Sequence, residues 1–420
     1  MRRIMIERAP VVLSLTLALG SASSCTSASA EDPSADADGG SSSTTDPSSG
    51  DVSESSTSED DGSSSGNAVG PDLSAFEAEL DAFLAEHDLT GATAVVVHVD
   101  DGVLLERGFG TFEADRISLL ASASKMITAG VVVRLHDEGV LDLDAPISEY
   151  VGTWGPRDHD PTLAQMLSNS SGMVGLIDAP LYGPYLCQYL ESGTLAACGE
   201  EIYAADDGDD VVPPDTAFRY GGGQWQLAGA VAQVASGQSW DELLAATYRD
   251  PCGIDVLGYT NPYQASFAGG GTDSATAYPT YFNGDLADLP STDNPNMEGG
   301  GYATAGAYGS LLLMHLREGQ CPAGTVLQPE SVARMRTDRV ARWGIPSGEE
   351  SGLDGYGLGW WTMSEHPDVA LSPGAFGAVP WIDVGRGYGA MIIFEADTQF
   401  SMLAFRRLRP VLEAAFDAES

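Results

Sequence analysis

The strand-forming runs of this chain lie at the two ends of its foldable part, with helical patterns between them. Residues 94–99 form an apolar, β-branched run, Asp101-Gly102 reads as a turn, and 103–109 returns as a second strand. Strand signals reappear only at 357–363, 379–384 and 389–394. Helical periodicity places Leu73, Phe76, Leu80, Phe83 and Leu84 on one face between Asp72 and His87. Further helices are predicted over 122–138, where Gly139 can close the end, and over 226–236, 239–248, 305–317 and 408–416. The first hairpin and the last three strands can pair into one antiparallel sheet, with the terminal helices on one face. The expected fold class is therefore α/β: an antiparallel sheet flanked by helices, with an inserted, mostly helical subdomain. A cleft between two such lobes is a usual place for a site.

Residues 1–25 read as an export signal: Arg2, Arg3 and Arg8, then an apolar stretch from Val11 to Leu19, then small residues. Ala22-Ser23-Ser24-Cys25 resembles a bacterial lipobox, with Ala22 where Leu is usual, which makes Cys25 the expected lipidation site. Residues 26–70 hold 15 Ser, seven Asp and three Glu, with no Lys, Arg or aromatic residue. Such a segment cannot bury enough apolar surface to offset its chain entropy, and a disordered linker is expected. The folded domain is then 71–420, exported to the bacterial cell envelope and tethered to the membrane through Cys25. No apolar run after residue 25 is long enough to span a bilayer. A formal net charge of −42 excludes general nucleic-acid binding and docking on anionic lipid through a basic patch. Four cysteines remain in the domain, and an even count in an exported chain points to disulfides. Three pairings are open. Proximity in sequence favours Cys187 with Cys198, leaving Cys252 with Cys321.

The chain contains one lysine, Lys125; all other strongly basic residues are arginine. A position that keeps lysine in such a chain calls for a group that can give up its proton, which arginine cannot do. Lys125 lies in Ser122-Ala123-Ser124-Lys125 at the start of a predicted helix. Residues three apart share a helix face, so the amine can reach the Ser122 hydroxyl. The helix N-terminus adds a positive field and free N–H groups that favour a developing oxyanion. This Ser-x-x-Lys arrangement serves serine acyl transfer. Other clusters read as structural. Asp206-Asp207-Gly208-Asp209-Asp210 lacks calcium-loop spacing and is expected to be a solvated loop. Gly269-Gly270-Gly271 has no following lysine and is not a phosphate cradle. Asp383 and Trp381 are expected to support the sheet. The six histidines show no metal spacing, no CxxC occurs, and neither a metal nor a cofactor is expected.

With its surroundings, this segment resembles the beta-lactamase-related serine hydrolase family, which groups class C beta-lactamases, D-Ala-D-Ala carboxypeptidases and related esterases. The resemblance runs from Leu120 through Ala129 and from Leu135 through Ile147. It continues through Met166-Leu167-Ser168-Asn169-Ser170-Ser171-Gly172-Met173, against Leu-Leu-x-His-Thr-Ser-Gly-Leu, and Phe218-Arg219-Tyr220-Gly221-Gly222, against the Tyr-x-Asn region. Gly299-Gly300-Gly301-Tyr302-Ala303-Thr304 is similar to Gly-Gly-x-x-Ser-Thr. The resemblance implies Ser122 as nucleophile, Lys125 as a proton-transfer partner and Tyr220 as general base or relay. It implies an oxyanion hole from the N–H of Ser122 and an N–H on the third-motif strand near Ala375.

Two positions depart from the family. Gly222 replaces the Asn of Tyr-x-Asn, which touches the substrate's acylamino group. In Ser372-Pro373-Gly374-Ala375, Ser372 occupies the basic slot that holds the substrate carboxylate. Both losses point away from a true beta-lactamase and toward an esterase or amidase acting on a less anionic small molecule or peptide. A monomer is expected. The competing expectation is a non-catalytic, penicillin-binding-like protein that binds a peptidoglycan fragment or a protein partner.

Overall fold

The computed structural model describes residues 70–179, 181–264, 278–344 and 352–418. The expected export signal with Cys25, residues 26–69 of the expected linker and Gly269-Gly270-Gly271 lie outside the described residues.

Helix α1 (Ser74–Glu86) buries Phe76, Leu80, Phe83 and Leu84, and the fifth residue of the predicted face, Leu73, is buried at its N-cap. It leads into β1 (Gly91–His98) and β2 (Gly102–Gly110), joined by a turn in which Gly102 takes a φ of 79°. Two short strands, β3 (Ser118–Leu119) and, later, β4 (Leu257–Tyr259), flank β5 (Gly301–Ala303) in a three-stranded sheet. The main sheet is completed by β6 (Gly355–Tyr356), β7 (Trp361–Thr362), β8 (Val369–Leu371), β9 (Ala378–Asp383) and β10 (Tyr388–Ile393). Its order is β2-β1-β10-β9-β8-β7-β6, antiparallel throughout, with Thr93 of β1 opposite Ile393 of β10. The N- and C-terminal strands pair, as expected.

Successive strand residues face opposite sides, so a sheet buried throughout needs a cover on each face. Every residue of β9 and β10 is buried. On one face, Trp381 and Tyr388 meet Phe405 and Phe416 of α9 (Thr398–Asp417). On the other, Gly389 lies against Leu312 of α7 (Ala305–Leu316), and Gly309 of α7 sits so close to Val95 that a β-carbon there would be 2.8 Å from its Cγ2.

The central segment holds α2 (Ser124–Asp137), α3 (Leu163–Leu167), α4 (Leu195–Tyr203), α5 (Gly223–Ser236) and α6 (Trp240–Leu244). Helix α2 has no single apolar stripe. It is buried on nearly every side, from Ser124 through Val133, and forms the spine of the domain. Gly139, with φ 72°, closes it, as the sequence predicts. The structure joins Cys187 to Cys198 and Cys252 to Cys321. A short helix, α8 (Pro329–Met335), packs on α2.

Four local expectations change. Of the strand predicted at 357–363 only β7 forms; residues 357–360 are the turn joining it to β6, in which Gly357 N–H donates to the Trp360 carbonyl and Gly359 takes a φ of 82°. That turn packs on the site: a β-carbon at Gly359 would lie 2.8 Å from the Lys125 carbonyl oxygen. Strand β8 is too short to show a period in sequence. Helix α9 begins at Thr398 behind an Asp397 cap and runs through Pro410, which faces solvent. The acidic run is not fully solvated. Asp207 is buried because Arg157, whose side chain is only 6 % exposed, pairs with its Oδ2 at 2.8 Å and the Tyr185 hydroxyl donates to the same atom at 2.7 Å. Asp383 and Trp381 do support the sheet: Asp383 pairs with Arg386 across the β9–β10 turn, and the Trp381 indole donates to the Tyr388 hydroxyl.

Candidate active site

Ser122 sits in a single 3-10 turn, Ala121–Ala123, between β3 and α2. Ala121 takes a φ of 45°, a left-handed conformation that costs a non-glycine residue about 1 kcal/mol or more. The surrounding backbone holds it there. Leu120 N–H donates to Gly301 O at 2.9 Å, and Gly301 N–H donates to Ser124 Oγ at 2.9 Å. Strand β5 is thus fastened along residues 120–124, and the segment before it is carried against Lys125.

Lys125 is fully buried. Its Nζ lies 3.0 Å from Ser122 Oγ, 3.0 Å from the carbonyl oxygen of Glu298, and 3.3 Å from Glu298 Oε2. An ammonium has three hydrogens and no acceptor, so these three oxygens match its whole capacity. The ring of Tyr220 lies with its centroid 4.7 Å from Nζ and that of Trp225 at 5.7 Å, both within cation–π range.

Tyr220 belongs to a loop fixed by Asn169. The Asn169 Oδ1 accepts from Gly221 N–H at 3.0 Å and from the Trp225 indole at 2.8 Å, and its carbonyl accepts from Arg219 N–H at 2.8 Å. Tyr220 stacks on Trp361 with centroids 5.2 Å apart. The structure therefore brings Ser122, Lys125 and Tyr220 together, with the tyrosine presenting its ring to the ammonium.

Gly222 has a φ of 82°, and a β-carbon there would be 2.7 Å from the Val174 carbonyl oxygen. No side chain can stand in the slot of the family's asparagine without moving backbone. Instead Gly222 N–H donates to Glu298 Oε2 at 2.8 Å. Glu298 is 3 % exposed. Its other oxygen, Oε1, faces the Tyr189 hydroxyl at 3.4 Å. Burial first, and then the Glu298 charge, push the Tyr189 phenol well above its ordinary range, so it stays a neutral donor.

The third-motif segment lies against the nucleophile turn. A β-carbon on Gly374 would meet the Leu120 carbonyl oxygen at 2.0 Å and Ala123 N at 3.2 Å. Ser372 is 2 % exposed, and its hydroxyl lies 3.5 Å from the Ser122 carbonyl oxygen. The basic slot is thus a neutral group turned onto backbone. Ala375 is not on a strand: β8 ends at Leu371 and β9 starts at Ala378, because Pro373 offers no N–H and Gly377, at φ 85°, turns the chain. Among the described residues no group of three His, Cys, Asp or Glu side chains could hold a metal ion.

Sequence reasoning missed Glu298 and the bracing role of Asn169. The available signal for Glu298 was an acid directly before three glycines in a segment already singled out.

Together, the fold and this constellation define a beta-lactamase-like scaffold. The beta-lactamase family model matches residues 76–412, and the chain belongs to that family. It is 30 % identical over 287 residues to penicillin-binding protein 4 of Amycolatopsis lactamdurans, covering 63 % of this chain and 70 % of that protein. It is 27 % identical over 360 residues to esterase EstB of Burkholderia gladioli, covering 76 % and 87 %. A crystal structure of a beta-lactamase candidate from Bacteroides dorei superposes with a TM-score of 0.64 at 25 % identity, covering 81 % of this chain and 98 % of that one.

Proposed function

We propose that this protein is a serine hydrolase that cleaves an ester or amide through an acyl-Ser122 intermediate. The contact that carries this reading is the 3.0 Å approach of the buried Lys125 Nζ to the Oγ of a half-buried Ser122. In the reactive form a neutral Lys125 amine takes the Ser122 proton as Oγ bonds to the substrate carbonyl carbon. The carbonyl oxygen becomes the oxyanion beside the Ser122 N–H. Collapse breaks the bond to the leaving alcohol or amine, which departs with a proton relayed through Lys125 and the Tyr220 hydroxyl. Water then attacks the acyl ester along the same proton route, releasing the acid and free Ser122.

The preferred substrate carries no carboxylate at the third-motif position. Ser372 has no charge to hold one, and Glu298 adds an anion beside the nucleophile. Esterase or amidase chemistry fits this better than hydrolysis of anionic beta-lactams. We further propose that the enzyme is exported and held at the membrane by a lipid on Cys25. A panel of p-nitrophenyl esters, nitrocefin and D-amino-acid peptides tests the activity. Ester turnover that disappears in Ser122→Ala supports the reading. Ligand binding without turnover or serine labelling turns it to a binding protein.

A further inference from the structure

We infer that Glu298 is the counter-charge and positioning residue of Lys125, standing in, from the segment just before β5, for the side chain that Gly222 lacks. The inference rests on the acyl-serine reading for its catalytic meaning, but its geometry is independent of it. Glu298 contributes two of the three oxygens around Lys125 Nζ, one from its backbone and one from its carboxylate. The same carboxylate oxygen accepts the Gly222 N–H at 2.8 Å. A side chain at position 222 is excluded by the Val174 carbonyl, so the polar partner of the lysine has to come from across the pocket. Glu298 fills that role because β5 is locked in register on residues 120–124.

A buried carboxylate is costly unless paired and hydrogen-bonded. Here one oxygen meets an ammonium and an N–H, and the other faces a phenol. The chemical consequence is directional. With its aim fixed by Glu298, the amine points at Ser122 Oγ rather than into the ring cage of Tyr220 and Trp225. An anion 3.3 Å from Nζ interacts with the ammonium and not with the neutral amine, so removing that charge acts on the affinity of Lys125 for its proton.

Among the described residues, the ionisable groups that face this pair are Tyr189, Tyr220, Tyr263 and Tyr356. Burial pushes the phenols of Tyr189, Tyr263 and Tyr356 upward, and the Glu298 charge adds to it. They stay protonated through the acid and neutral range.

The test uses the single lysine. In full-length protein grown with lysine labelled at Cε with carbon-13, one side-chain resonance reports Lys125 alone. Glu298→Gln keeps the volume and an acceptor for Gly222 N–H but removes the charge. The expected result is a titration midpoint at least one pH unit lower in Glu298→Gln than in the wild type. The acid limb of kcat/KM for p-nitrophenyl butyrate should move the same way, with plateau acylation reduced about tenfold or more. Glu298→Asp, which keeps the charge, should hold the midpoint within half a unit. An unmoved midpoint in Glu298→Gln overturns the inference, even if the rate falls, because a rate loss alone marks a packing defect. The resonance is read without turnover, so an inactive wild type would sink the acyl-serine reading while the titration still decides the role of Glu298.

Discussion

Replacing Lys125 with arginine keeps the positive charge and removes the chemistry. The guanidinium still has Glu298 as a partner, so the ion pair persists. It stays protonated at every working pH and cannot take the Ser122 proton. A positioned general base contributes roughly 10²- to 10⁴-fold, or about 3–5 kcal/mol of barrier. The substitution also has a packing cost. Lys125 is fully enclosed between Tyr220 and Trp225, and overfilling such a core site costs about 1–3 kcal/mol. That is within the stability of an ordinary domain, so the variant should fold with a Tm lower by some degrees. Stopped-flow release of p-nitrophenolate from a short-chain ester should show the acylation burst slowed by about 100-fold or more. A folded Lys125→Arg protein whose burst rate stays within about tenfold of wild type would refute proton transfer through this amine.

Gly222→Asn restores the family's residue type but should not restore its function. The positive φ and the 2.7 Å approach to the Val174 carbonyl make it destabilising by about 1–3 kcal/mol, read by thermal melting, with no gain in nitrocefin turnover. Chain-entropy arithmetic gives about 4 kcal/mol for the disulfide closing 69 residues and about 3 kcal/mol for the one closing 11. The Cys252→Ala/Cys321→Ala protein should therefore melt below the Cys187→Ala/Cys198→Ala protein. His315 packs on Trp360 and Met126, and burial, aided by the Arg336 charge, pushes it down to about 3 from an ordinary value of 6.5. The unfolded chain then binds a proton that the native state refuses, and stability falls as pH drops from 6.5 toward 3. Between pH 6.5 and 4.5 the wild type should lose about 2–3 kcal/mol more than His315→Gln in urea titrations. Equal losses would contradict this.

What could be read from the sequence follows interaction range. Helix α1 repeats its apolar residues over three turns, and β1 and β2 sit either side of an Asp-Gly turn, so both declare themselves locally. Ser122 and Lys125 are three residues apart, and their contact forms even though the serine lies on a 3-10 turn rather than in α2. Glu298 lies 173 residues from Lys125 and reaches it only through the register of β5, which no local pattern encodes. Asn169 is similar: its work is done on Gly221 and Trp225, more than 50 residues away. Strands β6, β7 and β8 have two or three residues each, fewer than a period-2 signal needs. The burial of Asp207 escapes a sequence reading because composition shows charge but not the Arg157 guanidinium beside it.

The central claim is that Ser122 is the covalent nucleophile. Incubation with a fluorophosphonate, followed by intact-mass and peptide mass spectrometry, asks that of the protein directly. The account predicts one adduct per chain on the peptide containing Ser122, absent in Ser122→Ala and strongly slowed in Lys125→Arg. Ester hydrolysis that proceeds with Ser122 unmodified, or an adduct on another residue that persists in Ser122→Ala, would contradict it.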